Sequence, residues 1–185
     1  MIGFSGANAS GGLIPSPGGT ATPAPFPGSG ANGFFADVAG RLSNVYVATL
    51  RFTNYGVRGG DNPVLTRSDG ALYYTPKGGT LAVGVGFTSL QRSTGNTSAN
   101  APGIGASLLP DLRQTLSPYV NLFFYPSAKT LGVTSTITTA QAGIMFKHPH
   151  AGVLVKLGFD YQSYPNKNFS PTSIGGVQLG VGASF

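Results

Sequence analysis

Five stretches of this chain alternate apolar residues with small or polar ones at a strict period of two. Tyr46, Ala48, Leu50 and Phe52 alternate with Val47, Thr49, Arg51 and Thr53. Leu81, Val83, Val85 and Phe87 alternate with Ala82, Gly84, Gly86 and Thr88. Ala140, Ala142, Ile144 and Phe146 alternate with Gln141, Gly143, Met145 and Lys147. Residues 153–161 and 177–185 repeat the pattern. Successive strand side chains point to opposite faces, so each stretch reads as a strand with one apolar face and one polar or tiny face. The chain is therefore read as all-β.

The chemistry of the second face separates two kinds of β protein. A soluble sandwich turns its apolar faces inward and carries charge outside. Here the non-apolar faces hold Gly, Thr, Ser and Gln, charged residues are only 9% of the chain, and glutamate is absent. A lipid-facing barrel reverses the arrangement, apolar outside and polar inside. The expected fold is an antiparallel up-and-down transmembrane β-barrel of about eight strands, near 44–54, 70–76, 80–90, 116–125, 129–137, 140–147, 151–162 and 175–185. Tight turns are expected at Pro76–Gly79, Pro126–Ala128 and His148–His150, and long loops at Thr94–Pro110 and Tyr164–Thr172. No turn residue separates Ile137 from Ala140. One long strand there leaves seven, with Gly33–Ala39 as the replacement.

Residues 1–40 read as a Gly/Pro-rich extended arm and residues 41–185 as the barrel. Runs such as Pro15-Ser16-Pro17-Gly18-Gly19 and Pro23-Ala24-Pro25-Phe26-Pro27 fit neither helix nor central strand. The arm has apolar hooks at Leu13, Ile14 and Phe26 and is available to a protein partner. Met1–Thr20 lacks the basic and apolar regions of a standard secretory signal. Cysteine is absent, which removes disulfides and thiolate chemistry. The net charge of +6 is scattered singly, so no nucleic-acid partner is expected.

The last strand carries a resemblance. Val177, Leu179, Val181, Ala183 and Phe185 place an apolar residue at every second position and an aromatic at the end. This resembles the terminal strand of bacterial outer-membrane β-barrel proteins, which the barrel-assembly machinery reads as an insertion signal. The resemblance implies residence in the outer membrane of a Gram-negative envelope, contact with outer-membrane lipid, and a structural, adhesive or passive-transport (porin-like) role. A place as an oligomer or subunit of a larger envelope complex is consistent with it. The alternative is a soluble all-β assembly protein, a capsid or appendage subunit whose N-terminal arm contacts its neighbours.

Residues expected on the lumen face are Arg51, Gln141, Lys147, Lys156, Asp160 and Gln178. They form either a cation-lined path favouring anions or an ion-pair network filling a narrow barrel, with Asp37 or Asp69 as further acceptors. Tyr73, Tyr74, Tyr119, Tyr125, Tyr161 and Tyr164 fall near expected strand ends and suit interfacial aromatic belts. His148 and His150 flank Pro149 in a turn, without a third ligand nearby. Arg58-Gly59-Gly60 is a single triplet in a loop. No catalytic residue, metal site or cofactor is expected, and the chain is read as a non-enzyme.

Overall fold

A computed structural model describes the chain except residues 11, 14–22, 25–28, 58–63, 77–78, 94–96, 131–132, 164–172 and 185. It is all-β. Nine consecutive strands form an antiparallel meander: β4 (Ser29–Arg41), β5 (Tyr46–Val57), β6 (Val64–Tyr74), β7 (Leu81–Arg92), β8 (Thr97–Leu108), β9 (Leu116–Thr130), β10 (Val133–Lys147), β11 (Val153–Ser163) and β12 (Ser173–Ala183). A further strand, β1 (Ile2–Ser10), closes the ring. It pairs with β12 on one side, Ile2 opposite Val181, and with β4 on the other, Ile2 opposite Ala36. A two-residue ladder joins β2 (Gly12–Leu13) and β3 (Pro23–Ala24) outside the barrel sheet.

This corrects the expected count of eight. Residues 133–147 are one strand rather than two, and the expected replacement, Gly33–Ala39, lies inside β4. The stretch expected as a loop, Thr94–Pro110, contains β8. Pro126–Ala128 is no turn. It lies inside β9, where Tyr125 pairs with Ile137 and Ala128 with Ser135, so two residues oppose one across a bulge. Proline is tolerated there because it gives up no ladder bond. Within the stretch expected as the arm, β1 and β4 are strands of the barrel sheet, and β4 ends at Arg41. Ile14 and Phe26 lie outside the described residues.

The connections 42–45, 75–80, 109–115 and 148–152 lie at one end of the barrel with Met1 and Ala183, here termed the turn end. The expected turns at Pro76–Gly79 and His148–His150 fall there. With β8 in place, the contrast between tight and long ends is reduced. Tyr164–Thr172 lies outside the described residues.

Burial follows the period of two. Phe34, Val38, Leu50, Leu72, Val83, Val85, Phe87, Ile104, Val120, Leu122, Phe124, Ile144, Leu157, Phe159, Val177, Leu179 and Val181 are exposed on the outer face. Tyr55, Leu65, Tyr73, Leu90, Phe123, Tyr125, Ile137 and Ile174 form the interior cluster. The glycines explain how these rings fit. A methyl built on Gly86 or Gly105 would strike Phe123, one on Gly103 would strike Tyr125, one on Gly84 Tyr73, and one on Gly143 or Gly158 the Tyr119 hydroxyl. Each bulky interior ring thus packs over a bare backbone position on the wall. Ten strands enclose more space than eight, and buried aromatics occupy part of it.

Candidate functional site in the barrel interior

All six expected lumen residues face the interior of the barrel, and five of them lie within its wall. Lys156, Asp160 and Gln178 are buried, the Arg51 side chain is 10% exposed, and Gln141 is half-buried in register with Asp160. Lys147 sits at an interior-facing position too, but at the turn end. Its Nζ donates to the carbonyl of Leu112 at 3.0 Å rather than entering the buried layer.

The buried charges are joined in a chain. Lys156 Nζ donates to Asp37 Oδ2 at 2.6 Å. Asp37 Oδ1 lies 3.5 Å from Arg51 Nη1, and Arg51 Nη2 lies 3.7 Å from Asp160 Oδ2. The hydroxyl of Tyr55 and the amide of Gln162 each donate to Asp160 Oδ2 at 3.0 Å. The amide of Gln178 donates to Tyr55 Oη at 3.4 Å. Lys156 Nζ also lies 5.3 Å from the centroid of Phe35 and 4.9 Å from that of Tyr119. The Arg51 guanidinium also lies over Phe35, at 5.3 Å from its centroid. Such contacts stabilise a desolvated cation by about 0.5–2 kcal/mol each.

A second group occupies the neighbouring wall. Arg67 Nε donates to Asp69 Oδ1 at 2.7 Å and to Thr88 Oγ1 at 3.2 Å, and its guanidinium lies 5.7 Å from the Tyr125 centroid. Tyr73 donates to Asn121 Oδ1 at 3.0 Å. Within these ion pairs three cations, Arg51, Arg67 and Lys156, meet three acids, Asp37, Asp69 and Asp160; Arg92, opposite Leu65 on the same interior face, has its Nε buried outside them. Pairing of these six charges is what a low-dielectric interior favours, because an unpaired buried charge is far costlier than a paired one. Of the two readings of these cations, the geometry favours the paired network over a cation-lined anion path.

Sequence patterning alone missed Arg67, Tyr55 and Gln162. Arg67 was missed because β6 was expected to begin at residue 70. Gln162 and Tyr55 carry a signal in their parity: Gln162 shares a face with Asp160, and Tyr55 shares one with Arg51. The aromatic-belt expectation is corrected in part. Tyr73, Tyr119 and Tyr125 are interior and buried, whereas Tyr74 and Tyr161 are exposed on the outer face. Tyr46 pairs with Tyr74, ring centroids 5.9 Å apart, at the turn-end rim. Tyr164 lies outside the described residues.

Of the terminal-strand residues, Val177, Leu179 and Val181 project outward, 56–59% exposed, and Ala183 is exposed at the strand end. Phe185 lies outside the described residues, as does Arg58-Gly59-Gly60. His148 and His150 are exposed in the turn, with ring centroids 6.3 Å apart. Among the described residues, no group of three or more His, Cys, Asp or Glu side chains is placed to hold a metal, and no helix is long and apolar enough to cross a membrane.

Comparison with known protein families finds no match to this chain, and comparison with curated proteins finds no significant relative.

Proposed function

We propose that this chain is an outer-membrane β-barrel protein whose sealed interior suits a structural or adhesive role rather than general diffusion. One observation carries the reading: large apolar side chains stand exposed around the outer face of a closed sheet, while the ion pairs of Asp37, Asp69 and Asp160 lie inside it. Water would penalise that surface; hydrocarbon would not. Ring closure supports the same solvent. In lipid every backbone N–H and C=O needs an internal partner, and a ring of strands leaves no free edge.

The outer face has a vertical order that fits a membrane. On β5 the outward residues run from Tyr46, Leu50 and Phe52 to Asn54 and Gly56. On β7 they run from Leu81, Val83, Val85 and Phe87 to Ser89 and Gln91. The apolar band thus lies toward the turn end, and polar wall projects beyond it at the other. This supports an orientation with the turn end toward the periplasm and the polar wall outside the cell. The barrel-assembly machinery and outer-membrane lipid are the partners this reading requires.

The test is extraction and gel mobility. The membrane-inserted chain should need detergent for release and should migrate differently with and without boiling. Reconstituted in planar bilayers, it should give no large stable channels. A chain soluble without detergent would overturn the reading in favour of a soluble assembly protein.

A further inference from the structure

A cavity of about 700 Å³ opens at the turn end, within the mouth of the barrel. Its size is within the range of roughly 300–1,000 Å³ typical of small-molecule sites. The walls come from the end of β4, the 42–45 and 75–80 connections and the 109–115 segment. Val47, buried, and Leu109, packed against the interior cluster, belong to its apolar lining. That packing makes it a recess that stops at the barrel core.

The polar side chains of the lining are two cations, Arg41 and Arg113, one acid, Asp111, and the neutral Asn44 and Thr80. Arg41 gives one N–H, from Nη1, to the carbonyl of Asn44 at 3.0 Å. A guanidinium has five donors, so most of those on Arg41 remain for a ligand. Arg113 is fixed by Asp111, with Nε to Oδ1 at 2.9 Å and Nη2 to Oδ2 at 3.0 Å. The same Asp111 Oδ1 accepts the Arg113 backbone N–H at 3.1 Å, and the Asp111 carbonyl accepts Ser117 Oγ at 2.6 Å. The segment bearing Arg113 is therefore held in place. The two arginines and one aspartate leave the lining with a net positive charge.

We propose that this recess binds a small, water-borne anionic amphiphile. Its phosphate or carboxylate head would meet Arg41 and Arg113, and its apolar body would lie against Val47 and Leu109. The head is specified by the largely free guanidinium fork of Arg41 and the donors that Arg113 does not give to Asp111, which suit a planar or tetrahedral oxyanion. The body is specified by the apolar lining, and the size by the recess. The mouth opens along the barrel axis, away from the outer apolar face, so the ligand comes from solution rather than from the surrounding lipid.

The experiment uses the full chain in nanodiscs, with methyl NMR signals of Val47 and Leu109 followed during titration with octyl phosphate. Saturable shifts at both are expected, with unchanged signals from Leu179 and Val181 on the outer face. The Arg41→Gln/Arg113→Gln double variant, altered only at exposed positions, should weaken binding at least tenfold while keeping heat-modifiable mobility. Octanol and inorganic phosphate should each bind at least tenfold more weakly than octyl phosphate. Equal binding of octanol, equal binding of inorganic phosphate, or unchanged affinity in the double variant would each overturn the proposal. So would shifts that fail to saturate and appear equally at Leu179.

Discussion

Asp37 is the acid on which the interior network turns. It receives Lys156 at 2.6 Å and faces Arg51 at 3.5 Å. Replacing it with alanine leaves two buried cations with Asp160 as the remaining acid of that group, 3.7 Å from Arg51. Removing one partner of a buried pair costs about 3–5 kcal/mol, mostly through the charge left behind. The Asp37 side chain is 20% exposed, so the lower end, about 3 kcal/mol, is the appropriate expectation. Urea unfolding of the lipid-reconstituted barrel, read by gel mobility and far-UV circular dichroism, measures it. Asp37→Ala/Lys156→Met should recover about half of the loss, since methionine removes one stranded charge while filling similar space. Asp111→Ala, which breaks the exposed pair with Arg113, should leave unfolding unchanged. A cost below about 1 kcal/mol for Asp37→Ala, or no recovery in the double variant, would refute the view of the interior as an ion-paired plug.

Other perturbations probe the wall and the closure. Leu157→Arg, on the outer face, should destabilise by about 2–4 kcal/mol in lipid, measured by the same urea assay. Gly158→Ala should cost about 1–3 kcal/mol by driving a methyl into the Tyr119 hydroxyl, and Tyr119→Phe should recover part of it in the same unfolding curves. Deleting Ile2–Ser10 removes the strand that pairs with both β4 and β12. The deleted chain should lose heat-modifiable mobility and aggregate through its two free edges, which sedimentation would detect.

The strands that were legible in the sequence are those with a run of apolar residues on the outer face: β5, β7, the second half of β10, β11 and β12. The hidden ones lack that face. In β8 the interior positions Ala99, Ala101, Gly103, Gly105 and Ser107 are all small, and at Gly103 and Gly105 the rings of Tyr125 and Phe123 of β9 occupy the space a side chain would take. The reason for those residues lies on another strand. β1 and the start of β4 are rich in Gly, Ala, Ser and Asn, with little intrinsic strand propensity. Each is held in the sheet by a neighbour on both sides. The site followed the same logic. Arg51, Lys156 and Asp160 were placed by parity alone. Arg67 was not, because Gly70 was read as the first residue of its strand. The tyrosines show how position along a strand misleads when parity is ignored. Tyr73 lies near the end of β6 and Tyr125 at the end of the expected strand 116–125, but each sits between outward-facing residues, Leu72 with Tyr74 and Phe124 with Pro126.

The central claim is that lipid covers the outer face and the ion pairs stay within. The chain has no cysteine, so single cysteines placed along residues 153–163 can each carry a nitroxide spin label without background. With the protein in bilayers, collision with oxygen and with a water-soluble nickel chelate is measured position by position. The account predicts a period of two, with oxygen contact highest at 157, 159 and 161 and low contact with both reagents at 156, 158 and 160. High nickel contact at 157 and 159 would place that face in water and contradict the membrane assignment.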